Sequence, residues 1–167
     1  MATRNELKVE IRETIRLSQD TDYNSLTVSS FSNINEVSKR IVTVPTSSEQ
    51  ELVSFSTNIG SGTFIENDVR YLRITNIGNA SDVSSSAEVR LTFKANDNGE
   101  FAFRLPSGKT FLYNGRYEGD ILGVSQSMAA SGSALSSSLD EVFSTVSNIS
   151  VQSSGSNCDV EYFVASA

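Results

Sequence analysis

The feature that most constrains this chain is a period-two alternation of apolar and polar residues. Leu7, Val9 and Ile11 alternate with Lys8, Glu10 and Arg12. Successive side chains of an extended strand point to opposite faces, so this pattern reads as a strand with one buried face. Leu26-Thr27-Val28 with Phe31 suggests a second strand after the turn-like run Asp20 to Asn24. Val37 to Val44 is β-branched and stops at Pro45, which lacks the N–H a ladder needs. Glu51 to Ser56 and Val69 to Thr75 continue the series. Val89, Leu91 and Phe93 share one face, Asn96-Asp97-Asn98-Gly99 supplies hairpin-turn chemistry, and Phe101, Phe103 and Leu105 return. Pro106-Ser107-Gly108 makes the next turn before Phe111 and Tyr113, and Val160, Tyr162 and Val164 alternate near the C-terminus.

Strands at this spacing, with turns between them, predict an all-β fold: an antiparallel β-sandwich, jelly-roll-like, with at most a short helix around Leu135 to Phe143. Residues 1–123 are expected to form the main sandwich and 157–167 a C-terminal strand that completes the same single domain. Between them, 124–156 is rich in Ser, Ala and Gly. Serine competes with the backbone for hydrogen bonds, so this stretch is expected to be loop and weak strand, packed on the sandwich or on a neighbour. At 167 residues the chain is long enough to bury a core.

Chemistry is harder to find. There is no histidine, so the usual triad base and the commonest metal ligand are both missing. One cysteine, Cys158, allows neither an intrachain disulfide nor a thiolate cluster and reads as a small buried residue. The candidate carboxylates Glu100, Asp120 and Asp140 lie beside a turn or in polar loops, where charged groups stay solvated. Asn96 to Glu100 lacks the spaced ligands of a calcium loop, and Gly60-Ser61-Gly62-Thr63 lacks the lysine of a phosphate cradle. The sequons at Asn79 and Asn148 matter only in a secreted protein. No enzymatic activity, cofactor or metal is expected.

A net charge of −7, with eight acidic against three basic residues from Asp97 onward, argues against nucleic-acid binding. No run approaches the roughly 20 apolar residues of a membrane helix, and the first residues lack a signal peptide's apolar core. The expectation is synthesis in a reducing cytoplasm without processing.

Two places can meet a partner. Lys39 and Arg40 interrupt a β-branched strand: one of them shares a face with Val37 and Ile41, or the strand lies at an edge. The functional alternative is a salt contact with an acidic neighbouring subunit. Tyr113 and Tyr117 flank Asn114-Gly115-Arg116, a segment able to offer rings to a partner or a sugar, unless Tyr113 completes the core and Tyr117 caps its edge.

Ile34 to Thr46 (INEVSKRIVTVPT), Val69 to Asn76 (VRYLRITN) and the hairpin from Val89 to Leu105 resemble small virion proteins of tailed bacteriophages, especially marine and cyanobacterial ones. The resemblance covers roughly residues 5–115 and is one of style, carried by a Ser-, Thr- and Asn-rich, His-free, acidic β chain. It implies a β-sandwich subunit of a head or tail, foremost a capsid-decorating protein that contacts copies of itself and other virion proteins. The alternative is a tail-associated or receptor-binding module that holds a host glycan on Tyr113, Arg116 and Tyr117. No catalytic or binding motif comes with the resemblance.

Overall fold

The computed structural model describes residues 5–18, 21–58, 60, 62–79, 87–96, 99–115, 123–125 and 143–167. Twelve strands follow in chain order: β1 (Glu6–Ser18), β2 (Thr21–Ser32), β3 (Glu36–Val44), β4 (Gln50–Ser56), β5 (Thr63–Ile65), β6 (Val69–Gly78), β7 (Glu88–Ala95), β8 (Glu100–Leu105), β9 (Thr110–Asn114), β10 (Gly123–Ser125), β11 (Phe143–Ser154) and β12 (Cys158–Ser166). The helical content among the described residues is one 3-10 turn at Glu66–Asp68.

Two sheets stack. One has the order β3-β12-β6-β9; the other has β5-β4-β11-β7-β8, with β10 on β11. Four antiparallel pairs generate both: β3 with β12, β4 with β11, β6 with β9 and β7 with β8. Each pair lies in the opposite sheet from the one before it, as when a long double ribbon is rolled up on itself. That is the jelly roll, with its two interleaved Greek keys. The short β5 adds in parallel to β4.

The alternation seen in the sequence supplies the interior. Leu72, Ile74, Val160, Tyr162 and Val164 of the first sheet meet Val89, Leu91, Phe93, Val146, Ile149 and Val151 of the second. Phe93 is fully buried, with Phe101 stacked at 4.8 Å and Phe111 tilted at 5.1 Å between ring centroids. These offset and tilted geometries suit the quadrupoles of the rings.

Asn76 is the polar exception in this interior. It is wholly buried, and its Nδ2 donates to the carbonyls of Ala87 and Leu105, each at 3.0 Å. Its Oδ1 accepts from the N–H of Gly78 at 2.9 Å, while its backbone bonds to Lys109 and Gly108. One amide therefore closes the end of the roll where β6, β7, β8 and the turn into β9 converge. Gly78 has a positive φ of 80°, and a Cβ there would meet the Ser107 hydroxyl at 2.7 Å, so only glycine suits this corner.

The serine-rich stretch departs from expectation. Residues 143–154 are not loop: they form β11, a central strand flanked by β4 and β7 and carrying Val146, Ile149 and Val151 in the core. Packing between two neighbours outweighs the weak local preference of serine. Likewise β2 already begins at Thr21, within the segment Asp20 to Asn24 that reads as a turn. Residues 126–142, including most of the possible short helix, lie outside the described residues.

Candidate interaction surface

The most unusual part of the molecule is the first hairpin. β1 and β2 pair only with each other among the described residues. With 13 and 12 residues they form a ribbon about 40 Å long at about 3.4 Å per residue. The register sets Leu7 opposite Phe31, Val9 opposite Ser29, Ile11 opposite Thr27 and Ile15 opposite Tyr23, so all of these share one face.

Only the base of this arm is anchored. Phe31 and Ile34, with Leu7 and Val9, pack on Tyr71, Ala165 and Phe163 from the outer face of the β3-β12-β6-β9 sheet. Tyr71 and Phe163 meet edge to face at 5.6 Å, and burial pushes the Tyr71 phenol above its ordinary range, with Arg73 opposing. The Asn114 amide donates to the Ser29 hydroxyl at 2.9 Å. Farther out the support ends. Ile15 is 53% exposed, Tyr23 59%, Leu26 53% and Val28 47%. An isolated two-stranded hairpin is marginally stable at best in water, because neither face has a layer to pack on.

Beside the arm's base runs a groove of about 320 Å³ bordered by Lys8, Glu10, Lys39, Arg73 and Phe163. Glu161 holds its charges together, accepting from Arg73 and pairing with Lys39 at 3.1 Å.

The residues singled out in the sequence fall in different places. β3 is an edge strand, and Lys39 lies on the face of Val37 and Ile41, so both alternatives for the Lys39-Arg40 pair apply. Its carboxylate partner Glu161 is in the same chain. Arg40 points to the other face and is exposed. Tyr113, on β9, is half-buried and packs against the main core. Arg116 and Tyr117 lie outside the described residues, as do Asp120, Asp140, Ser61, Asp97 and Asn98. Glu100 is exposed on β8 and opposite Lys94 in register. Among the described residues no group of three His, Cys, Asp or Glu could hold a metal ion.

The arm escaped the sequence reading. Its signal is present, since Val9 and Ile11 have only Ser29 and Thr27 as cross-strand neighbours, but that match becomes visible only once the register is known.

The described residues form a jelly roll with a two-stranded ribbon anchored by its base on the outer face of one sheet. No protein-family model matches the chain, and no curated protein or solved structure shows significant similarity to it.

Proposed function

We propose that this chain is a non-enzymatic structural subunit of a bacteriophage particle, of the capsid-decorating kind, that works through protein–protein contacts. The observation that carries this reading is the β1–β2 arm, whose exposed Ile15, Tyr23, Leu26 and Val28 lie on a ribbon that has no second layer among the described residues. Ile15 and Tyr23 lie on one face of the ribbon and Leu26 and Val28 on the other, and exposed apolar groups on a thin ribbon of this kind support a role in association. The setting comes from the sequence resemblance and, by analogy of fold alone, from the recurrence of jelly rolls among viral capsid domains.

Jelly rolls also occur in lectins, which fits the receptor-binding alternative. That alternative needs Tyr113 presented to a sugar, whereas its ring packs against the core, so the structural reading is preferred.

Cross-linking mass spectrometry on purified particles tests the proposal. The expected result is the chain on the particle surface, with Lys8 and Lys39 cross-linked to the shell or to other copies. A chain recovered only in the soluble fraction of infected cells, with no virion neighbour, refutes it.

A further inference from the structure

The open edge of β1 carries a charge sequence that specifies a partner. Its even-numbered side chains share one face and read Glu6, Lys8, Glu10, Arg12, Thr14, Arg16. The odd-numbered face carries Leu7, Val9, Ile11, Glu13 and Ile15. We propose that this edge pairs antiparallel with β1 of a second copy of the chain, about a two-fold axis at Ile11, to give a four-stranded sheet β2-β1-β1-β2. The proposal rests on the reading of the arm as a protein–protein contact and names its occupant.

A two-fold pairing of identical strands sets each residue opposite the one equally far beyond the axis, and opposite residues share a face. Only a few registers are possible on a strand this short. With the axis at Lys8, lysine meets lysine and Glu6 meets Glu10. At Glu10, glutamates meet and Lys8 faces Arg12; at Arg12, arginines meet and Lys8 faces Arg16. All three oppose like charges.

Three registers attract without opposing like charges, while an axis at Glu13 faces Glu10 with Arg16 but sets the two Glu13 opposite each other. With the axis at Leu7, Glu6 faces Lys8, twice by symmetry. With the axis at Val9, Lys8 faces Glu10 and Glu6 faces Arg12. With the axis at Ile11, Glu10 faces Arg12 and Glu6 faces Arg16, each twice by symmetry. The position of the sandwich decides between them. Leu7 and Val9 both pack on the Tyr71 cluster, so an axis at either directs both sandwiches beneath the same stretch of ribbon. An axis at Ile11 moves the two anchored segments about 20 Å apart along the strands. It also sets the exposed Ile15 opposite Leu7 and brings the two Ile11 side chains together. Four strands whose shared face carries Leu7, Val9, Ile11 and Ile15 of both copies, interrupted by Glu13, approach the requirement for a stable sheet more closely than two strands do.

The test is sedimentation equilibrium of the full chain over a range of concentrations. Wild type is expected to dimerise. Glu10→Arg and Arg12→Glu each turn two attractive pairs into repulsive ones and weaken dimerisation about tenfold or more. The double variant Glu10→Arg/Arg12→Glu restores it, because the charges are merely exchanged. An equimolar mixture of the two single variants forms heterodimers for the same reason. All substitutions are on the exposed arm, and circular dichroism verifies that the sandwich is intact. A wild type that stays monomeric, single variants that dimerise normally, or a double variant as weak as the singles each overturns the proposal. The last outcome is diagnostic, since an axis at Val9 predicts no rescue. Dimerisation is read on purified protein and particle association on virions, so failure of this pairing and failure of the proposed function are separable.

Discussion

Replacing Asn76 tests the physical account of the fold most directly. The side chain is fully buried and satisfies three backbone groups: the Ala87 and Leu105 carbonyls and the Gly78 N–H. Asn76→Ala removes three hydrogen bonds worth about 1 kcal/mol net each and leaves buried groups without that partner, at about 1–3 kcal/mol where no alternative exists. The expected loss is about 3 to 5 kcal/mol, a large share of the roughly 5–15 kcal/mol that holds a domain together. For a chain of this size the Tm falls by about 6 to 20 °C. Urea unfolding followed by circular dichroism gives the free energy directly, from the midpoint and slope.

Asn76→Asp refines the test. It retains an acceptor for Gly78 but turns a second oxygen toward two carbonyls, in a wholly buried site. Burial and the facing carbonyls raise the folded-state pKa of that carboxyl above its value in the unfolded chain. The native state then binds the extra proton more tightly, so the variant's deficit is smallest below the unfolded pKa. The deficit grows as pH rises through the window up to the folded pKa. Near pH 7 the Asp variant is expected to be at least as unstable as Ala, and in mild acid to recover part of the difference. An Ala variant within 1 kcal/mol of wild type, or an Asp variant with a flat pH profile relative to wild type, refutes the role assigned to this amide.

Other consequences are more local. Gly78→Ala imposes a side chain on a positive-φ residue against the Ser107 hydroxyl and is expected to cost about 1–3 kcal/mol in the same unfolding assay. Burial pushes the Cys158 thiol above its ordinary range, opposed by the Ser153 hydrogen bond and reinforced by Asp159; a thiol reagent at pH 8 should label the folded chain far more slowly than the urea-unfolded one. The hydrogen bond from Lys94 at 2.7 Å is the main reason the Glu49 carboxyl lies below its ordinary range. Its contribution is present above the unfolded pKa and lost as pH falls through the folded one, so Glu49→Gln should cost under about 1 kcal/mol at pH 7, given solvent screening, and nothing in strong acid. Hydrogen exchange should be fast in the arm of dilute protein, from Ile11 to Thr27, and slow in β6, β7 and β12.

The sandwich was legible because its faces alternate cleanly. In β7 the residues Val89, Leu91 and Phe93 are all buried, and in β12 so are Val160, Tyr162 and Val164. The β7–β8 hairpin pairs Phe93 with Phe101 around the Asn-Gly turn chemistry. β11 was not legible, and the reason is geometric. Its apolar residues Val146, Ile149 and Val151 are three and then two apart, because register shifts fall between Val146 and Asn148 against β7 and between Ile149 and Ser150 against β4. A bulge adds a residue and destroys the period on which the reading depends. The arm failed for a different reason. Alternation tells which side chains share a face, but not whether anything covers that face: Leu7 and Val9 find the sheet, and Ile15 does not. Among the candidate contacts, Lys39 and Arg40 were legible as an edge, since two cations in a β-branched strand have few other places to go.

The edges of the molecule show where association is permitted. A strand edge is a template for further pairing, and proteins blunt it with charge or brevity. In the sandwich, β3 carries Lys39 and Arg40, and β8 carries Glu100 and Arg104. The remaining named edges, β5 and β9, are three and five residues long. The long edges of the body thus bear charge, and the adjacent Lys39 and Arg40 on β3 are of one sign, so two copies meeting there with either residue on the axis would set like charges together. The arm follows another rule. Along β1 the signs alternate from Glu6 to Arg12, so a copy of itself meets attraction in registers centred on Leu7, Val9 or Ile11 and repulsion in those centred on Lys8, Glu10 or Arg12. Such a pattern discourages adventitious strands while admitting one partner, which is how specificity arises from a difference between two pairings and not from adhesion alone. A jelly roll that closes its own core has no need of a 40 Å ribbon for folding. Under the proposed assembly, apolar residues at the far end of that ribbon find their cover on another subunit.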